Sequence, residues 1–381
     1  MAEQAIRGLE GVVSHATVLS EVDGEAGRLA IRGYAIEELA GRATFEEVAH
    51  LLWHGDLPNA SQLAALQTQL ARARRLPASV LELLQGPARD ADGMHALRIG
   101  AAALSVDDSR ADETSIEGNR QRALTLTARL STLVAQHHRI RAGLPTVEPP
   151  DDLGIAAGYL YMLEGRAPDP YRVEALNAYM VAVIDHGMNA STFTARVIAS
   201  TGSDMISAIT GAIGALKGPL HGGVPGPVLE MLEAIGAPSR AEDWIRAAIE
   251  HGDRMMGFGH RVYKVRDPRA AVLEAAAEKL AQATGNSHLL ELTREVERVT
   301  VRVLGEVKPG RDLYANVELY AGLILHEVGL PPEVFTSTFA CARVAGWTAH
   351  ILEQYEDNRL IRPQSVYVGP KDRKFVPLEQ R

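Results

Sequence analysis

From Thr44 onward apolar residues return every three or four positions with polar residues between them, the spacing of amphipathic helices. One unit is legible from end to end. Thr44 and Glu47 form a capping box, Val48, Leu51 and Leu52 share a face, and Gly55 followed by Pro58 closes the helix. Similar units are expected at about 60–75, 93–105 and 115–142, the last stopping at Gly143 before PTVEPPDD. Residues 1–36 break the pattern: Gly24, Gly27 and Gly33 separate short apolar pairs, which reads as turns and small strands capping a helical body.

The second half is helical too, but its helices are joined by short glycine-rich segments that carry histidines. Helices at about 190–201 and 203–216 lead into LKGPLHGGVPGP, with a further start near Pro225. Ser239 with Glu242 predicts the cap of a helix ending near His251, and Asp267-Pro268 the start of one near Arg269. A long helix is expected over about 287–306, another from Asn316 to Gly329 and Pro331, and a last one over about 332–355 before an extended tail to Arg381. No internal repeat interrupts this series.

With β-branched runs scarce and aromatic residues at 5%, the chain reads as all-α. Its 381 residues exceed what one core usually fills, so a body with a smaller domain is expected. The net charge of −9 is dispersed, which argues against a nucleic-acid binder or a membrane-surface helix and means that anionic ligands need local arginine clusters. The single cysteine, Cys341, lies in the apolar run FACARVAGW and reads as a core residue in a reducing compartment. The N-terminus lacks the apolar stretch of a signal peptide and no apolar segment of about 18 residues occurs, so a cytoplasmic protein is expected.

Three histidines sit at joints: His186 in DHGMNAST, His221 in KGPLHGG and His260 in GFGHRVY. Taken singly each could be structural, but Gly222 and Gly223 beside His221, and Gly257 and Gly259 beside His260, let backbone approach a ligand or turn through positive φ. The spacing fits no metal motif, there is no GxSxG elbow, and GFGHRV follows no clear strand as a dinucleotide fingerprint must. Ser191 and Ser203 read as helix-start residues. Among the arginines, Arg269 follows an N-cap where helix amides and guanidinium could share a carboxylate, Arg343 lies within an apolar stretch and needs a partner, and Arg362 stands in NRLIRPQS. A dicarboxylate requires two or three such planar forks. Glu318, in the first turn of its helix, reads on these grounds as a helix cap.

Taken together, GLEGVV, VDGEAGRLAIRGYAIEELA, LLWHGDLP, DHGMNASTFTARVIAST, GALKGPLHGG, MGFGHRVYKVRDPR, FACARVAGWTAHILEQ and NRLIRPQSVYVGP give the chain a resemblance to the citrate synthase family over nearly its whole length. The motif style resembles the short dimeric bacterial and archaeal type. The resemblance implies a two-domain helical homodimer, with a large domain of 1–222 plus 329–381 and a small mobile domain of 223–328. It implies condensation of acetyl-CoA with oxaloacetate and no cofactor beyond the acyl-CoA co-substrate.

By the same resemblance His186, His260, Arg269 and Arg343 bind oxaloacetate, with His260 polarising its carbonyl and Arg362 reaching in from the other subunit. His221 donates to the thioester oxygen, and Glu318 occupies the position of the base that removes the acyl α-proton. Gly257, Phe258, Gly259, Lys264 and Asn316 match positions that border CoA. A helix starting near Pro225 is expected to keep His221 neutral through its N-terminus.

Two places depart from the family pattern: Ala315-Asn316-Val317-Glu318 stands where PNVD is usual, and Val224-Pro225-Gly226 where ANE usually follows KGPLHGG. Propionyl-CoA giving 2-methylcitrate is the alternative substrate reading, since one methyl in an acyl pocket is worth only ~1–3 kcal/mol. A catalytically weak paralog that binds CoA or a dicarboxylate as a sensor or assembly partner is the alternative of another class.

Overall fold

A computed structural model describes residues 6–108, 115–222, 225–307, 310 and 313–381. Short strands β1 (Ser20–Asp23), β2 (Arg28–Ile31) and β3 (Tyr34–Ala35) form an antiparallel sheet in the order β1-β2-β3. Its register pairs Ser20 with Ile31 and Ile31 with Tyr34. The tight turn between β2 and β3 is made by Arg32 and Gly33, both at positive φ (49° and 87°), as a two-residue hairpin of this twist requires.

All larger elements are helices. The first half holds α1 (Ile36–Leu39), α2 (Phe45–His54), α3 (Ala60–Ala73), α4 (Ala78–Gln85), α5 (Gly93–Ala103), α6 (Ile116–Arg141), α7 (Ile155–Glu164) and α8 (Pro170–Val183). The second half holds α9 (Ala190–Ser200), α10 (Met205–Leu216), α11 (Pro225–Ile235), α12 (Ala241–His251), α13 (Pro268–Thr284), α14 (His288–Val307), α15 (Val317–Glu327) and α16 (Phe335–Glu356). The all-α expectation is met. The apolar core is continuous from Leu19 to Leu352, with α6 and α16 buried along most of their length at its centre. No helix among the described residues is long and apolar enough to cross a membrane.

Local chemistry accounts for most helix ends. The reciprocal Thr44–Glu47 box is formed and Gly55 closes α2 at φ 95°. Asp267 caps α13 with Pro268 behind it, and Asn316 caps α15.

The expectation for Ser239 fails: Pro238–Arg240 is a 3₁₀ turn and α12 starts at Ala241 without a side-chain cap. Proline sets the tighter turn, and Glu242 is drawn instead to Arg246 and Arg302 on the surface. The unit expected at about 60–75 ends at Ala73, and α4, α7 and α8 appear where no helix was expected, the last two without a clear amphipathic signal. In α7, IAAGYLYMLE, seven residues are buried and no polar face marks the period. The start of the last helix is also displaced, because Pro332–Val334 forms a 3₁₀ turn before α16.

Candidate active site

Two loops and one helix start converge. The first loop, 257–260, pairs antiparallel with 314–316: Gly259 N–H donates to Tyr314 O (2.8 Å) and Asn316 N–H donates to Gly257 O (2.9 Å), with Phe258 opposite Ala315. Gly257 is required there, since its φ is 80° and a Cβ would stand 3.0 Å from that of Leu319. The Asn316 side chain spends both polar ends inside the protein, accepting from Glu318 N–H (2.9 Å) and donating to Gly259 O (2.8 Å). It thereby ties the helix bearing Glu318 to the loop bearing His260. His260 Nδ1 accepts the backbone N–H groups of Val262 (3.0 Å) and Tyr263 (3.1 Å). Nδ1 is therefore unprotonated, and the neutral ring carries its proton on Nε2. Burial, then the Arg269 charge, brings this imidazole down to about 4, so it is neutral at working pH.

His186 lies in the second loop, between α8 and α9. Its ring meets that of His260 edge-on, centroids 5.4 Å apart, and its Nε2 is 3.1 Å from the Tyr263 hydroxyl. Burial, with the charge of Arg269, pushes it well below its ordinary value. At the far end of this loop Asn189 caps α9, and Ser191 N–H donates to His221 Nε2 (3.2 Å), whose ring also meets Ser191 Oγ at 2.8 Å. An amide donor on Nε2 leaves Nδ1 to carry the ring proton. His221 is held at about 4 by burial and then Arg343. The start of α9 thus faces its ring, while Gly223 and Val224, which lead into α11, lie outside the described residues. Gly222 is a close-approach position, since a Cβ would come 2.5 Å from Leu216 O.

The charges are unequal in their partners. Arg269 and its helix amide do share one carboxylate, and it is the protein's own: Asp267 Oδ1 accepts from Arg269 N and Nε (3.0 Å each) and Oδ2 from Nη2 (2.6 Å). Burial alone would raise the Asp267 carboxyl, but Arg269 outweighs it and holds it below the usual range. Asp267 Oδ2 also accepts Val317 N–H (3.2 Å), so one carboxylate fixes the starts of both α13 and α15.

Arg343 has no such counter-ion. Its Nε donates to Val183 O and its guanidinium lies 4.6 Å over the Phe339 ring, with no carboxylate within ion-pairing distance among the described residues. Burial brings it down to about 10 although Asp185 opposes this. Glu318 Oε2 is buried without a hydrogen-bond partner among the described residues. Burial raises this carboxyl to about 7 against the pull of Arg269, far from the behaviour of an ordinary exposed cap. The charge of the buried Arg343 acts on His186, His221 and Glu318 alike.

Not every residue singled out by sequence joins this cluster. Lys264 and Arg362 are exposed, the latter on the tail after α16. A cavity of about 320 Å³ lies elsewhere, lined among others by His50, His54, Gln62 and Arg120. Conversely, Asp267, Tyr263 and Ser191 are at the site although sequence reasoning gave them no chemical part. The pairing of Asp with Arg two residues on in RDPR was the signal for the first.

A family model for the C-terminal domain of citrate synthase matches residues 8–364. The chain is 44% identical over 378 residues to citrate synthase 2 of Bacillus subtilis, covering 99% of both chains. It is 40% identical to 2-methylcitrate synthase 2 of Corynebacterium glutamicum, covering 98% of this chain and 97% of that one. The solved ternary complex of Thermoplasma acidophilum citrate synthase with carboxymethyl coenzyme A and oxaloacetate superposes with a TM-score of 0.91 at 32% identity, covering both chains completely. With a matching family model across most of its length and relatives aligned from end to end, the chain belongs to the citrate synthase family.

Proposed function

We propose that this enzyme condenses acetyl-CoA with oxaloacetate and water to give citrate and CoA. The observation that carries the reading is the buried Arg343 without a counter-ion, whose charge acts on the neutral His186 and His221 and on a carboxyl raised to about 7. An anion entering there gains a partner that the fold withholds, which favours a small dicarboxylate.

Oxaloacetate lies between Arg343, Arg269 and His186, with its ketone oxygen on the Nε2–H of His260. Glu318, ionised, takes the acyl α-proton while the Nδ1–H of His221 donates to the thioester oxygen as negative charge grows there. The enol or enolate carbon then bonds to the ketone carbon, and the ketone oxygen gains a proton from the His260 side. Water cleaves the resulting citryl thioester and releases CoA. A base whose pKa lies near working pH suits the first step, because it is ionised yet still binds a proton appreciably. The acyl-CoA is a co-substrate, and no resident metal or organic cofactor takes part.

The enzyme works as a homodimer in which the tail carrying Arg362 completes the partner's cleft. The tail's exposed Leu360, Tyr367, Val368 and Phe375 support this, since an isolated chain gains nothing from displaying them. Residues 223–328 act as the small domain that closes over the large one (1–222 and 329–381), excluding water from the thioester until condensation is complete. Gly257, Phe258, Gly259 and Lys264 border the CoA, with Asn316 bracing them from behind.

The relative in Corynebacterium glutamicum, at 40% identity over 380 residues, favours 2-methylcitrate formation from propionyl-CoA as the second reading. Release of free CoA from acetyl-CoA and from propionyl-CoA, each with and without oxaloacetate, decides. Oxaloacetate-dependent release with acetyl-CoA preferred is expected. Preference for propionyl-CoA transfers the assignment to 2-methylcitrate, and no release from either leaves a binding protein only.

A further inference from the structure

The loop that carries His186 is gripped by one stripe of α16. Positions 343, 346, 347 and 350 fall at i, i+3, i+4 and i+7, a single helical face. Each meets the loop or a helix end that anchors it. Arg343 Nε donates to Val183 O, and at Gly346 a Cβ would collide with Ile184 O and stand 2.9 Å from Asp185 Oδ1. Trp347 Nε1 donates to Ser191 Oγ (3.0 Å), and His350 Nε2 lies 3.1 Å from Asp185 Oδ1. The first of these touches the proposed substrate; the last stands two turns away from it.

His350 is completely buried, and its proton is fixed by its neighbours. Arg196 Nη1 donates to His350 Nδ1 (3.2 Å), so the neutral ring carries its proton on Nε2 and donates it to Asp185. Arg196 is held in turn by Glu353 (2.7 Å) and Gln354 (3.0 Å). His15, His350 and Glu353 bring possible metal ligands within 4.8 Å of one another. With Arg196 already on Nδ1 and Asp185 on Nε2, however, His350 has no lone pair to give, and the Arg196 cation opposes another. The chain therefore runs inward, Glu353 to Arg196 to His350 to Asp185, and ends at the residue before His186. Asp185 also sits 3.4 Å from Gly187 N–H, and that amide donates to Ser20 Oγ (3.1 Å).

We infer that His350 is a positioning residue for the oxaloacetate site: acting through Asp185, it holds loop 185–187 so that the His186 ring stands against His260 and Tyr263. This rests on the proposed function only in naming oxaloacetate as the ligand.

The test compares His350→Gln with His350→Leu. A glutamine amide can accept from Arg196 and donate to Asp185 at once, whereas leucine does neither. His350→Leu is expected to weaken oxaloacetate binding by about tenfold, the scale of a buried hydrogen bond left unmade. KM for oxaloacetate should rise while KM for acetyl-CoA is unchanged, because Trp347 still holds Ser191. The ring signals of His186 in a ¹⁵N-labelled, unliganded protein should shift or broaden. His350→Gln should restore both readouts to within about threefold of the unaltered protein. A lowered Tm with oxaloacetate affinity and His186 signals unchanged in His350→Leu overturns the inference and leaves His350 a packing residue. If the unaltered protein binds no oxaloacetate, the functional reading fails, and the His186 signals alone decide this one. If His350→Leu does not fold, failure of His350→Gln to hold the His186 signals overturns it.

Discussion

Replacing Glu318 by glutamine tests the site through stability instead of turnover. A carboxyl held at about 7 in the folded protein and at 4.5 in the unfolded chain binds its proton more tightly when folded. Its contribution is therefore most favourable below pH 4.5 and is lost as pH rises from there through 7, where the unfolded chain ionises first. At 1.36 kcal/mol per pH unit, the full cost above about pH 8 approaches ~3 kcal/mol, whereas at pH 5 it is only ~1 kcal/mol. Glutamine fills nearly the same volume and does not titrate. Any fixed gain or loss from the amide is the same at every pH and cancels in the difference. Relative to the unaltered protein, Glu318→Gln should therefore gain ~2 kcal/mol between pH 5 and pH 9. Over 381 residues, at an unfolding entropy of about 2 cal/mol/K per residue, that is a relative Tm gain of roughly 2–3 °C. Calorimetry at matched protein concentration across this range reads it directly. Parallel Tm curves for the two proteins would mean that Glu318 ionises normally in the folded state, and the argument for a poised base would fall.

The remaining predictions address its neighbours. His221→Ala should cut turnover by about 10²–10³ while calorimetry finds oxaloacetate binding nearly intact, whereas His260→Ala should impair both; the opposite pattern would reverse the two roles. Arg343→Met should abolish measurable oxaloacetate binding without lowering Tm, since it removes a buried cation that has no carboxylate partner. A Tm loss of many degrees would mark the guanidinium as structural. Ser191→Ala should slow turnover by about tenfold through loss of its contact with the His221 ring, with oxaloacetate affinity unchanged. Glu318→Asp should retain measurable condensation in the CoA-release assay.

Much of this arrangement was legible in the chain, because capping and breaking are local. Thr44 with Glu47, Asp267 with Pro268, and Asn316 at the head of α15 each announce a helix start through bonds that span two or three residues. His221 and His260 could be flagged by the glycines beside them, Gly222 with Gly223 and Gly257 with Gly259. What stayed hidden depends on distant partners. Nothing near His221 shows that Ser191, thirty positions upstream, supplies the amide that sets its tautomer. Arg269 looked like a free fork, yet its Nε and Nη2 are taken by Asp267, and only coordinates separate a carboxylate from outside from one two residues away. Ser239 misled because a good capping pattern loses to the turn that Pro238 imposes. Helices α7 and α8 escaped notice because elements buried on most sides lack the polar face that marks a period.

The earliest residues of the chain are held by some of its latest. Thr17 Oγ1 and Val18 N–H donate to Glu353 (3.1 and 3.0 Å), Gly187 N–H donates to Ser20 Oγ, and Gly24 O accepts Lys264 N–H (2.9 Å) while leaving no room for a side chain against Val262. During synthesis, then, this segment leaves the ribosome well before its partners, and its seat on Glu353 comes only after more than three hundred further residues have followed. At ~5–20 residues per second, that last contact waits at least some fifteen seconds. Docking such a segment closes a loop nearly as long as the whole chain, which is the slow kind of contact to form. The segment touching Gly187 on one side and Val262 and Lys264 on the other is thus among the last pieces to settle, and the catalytic pocket takes its final shape only when Thr17 and Val18 meet Glu353.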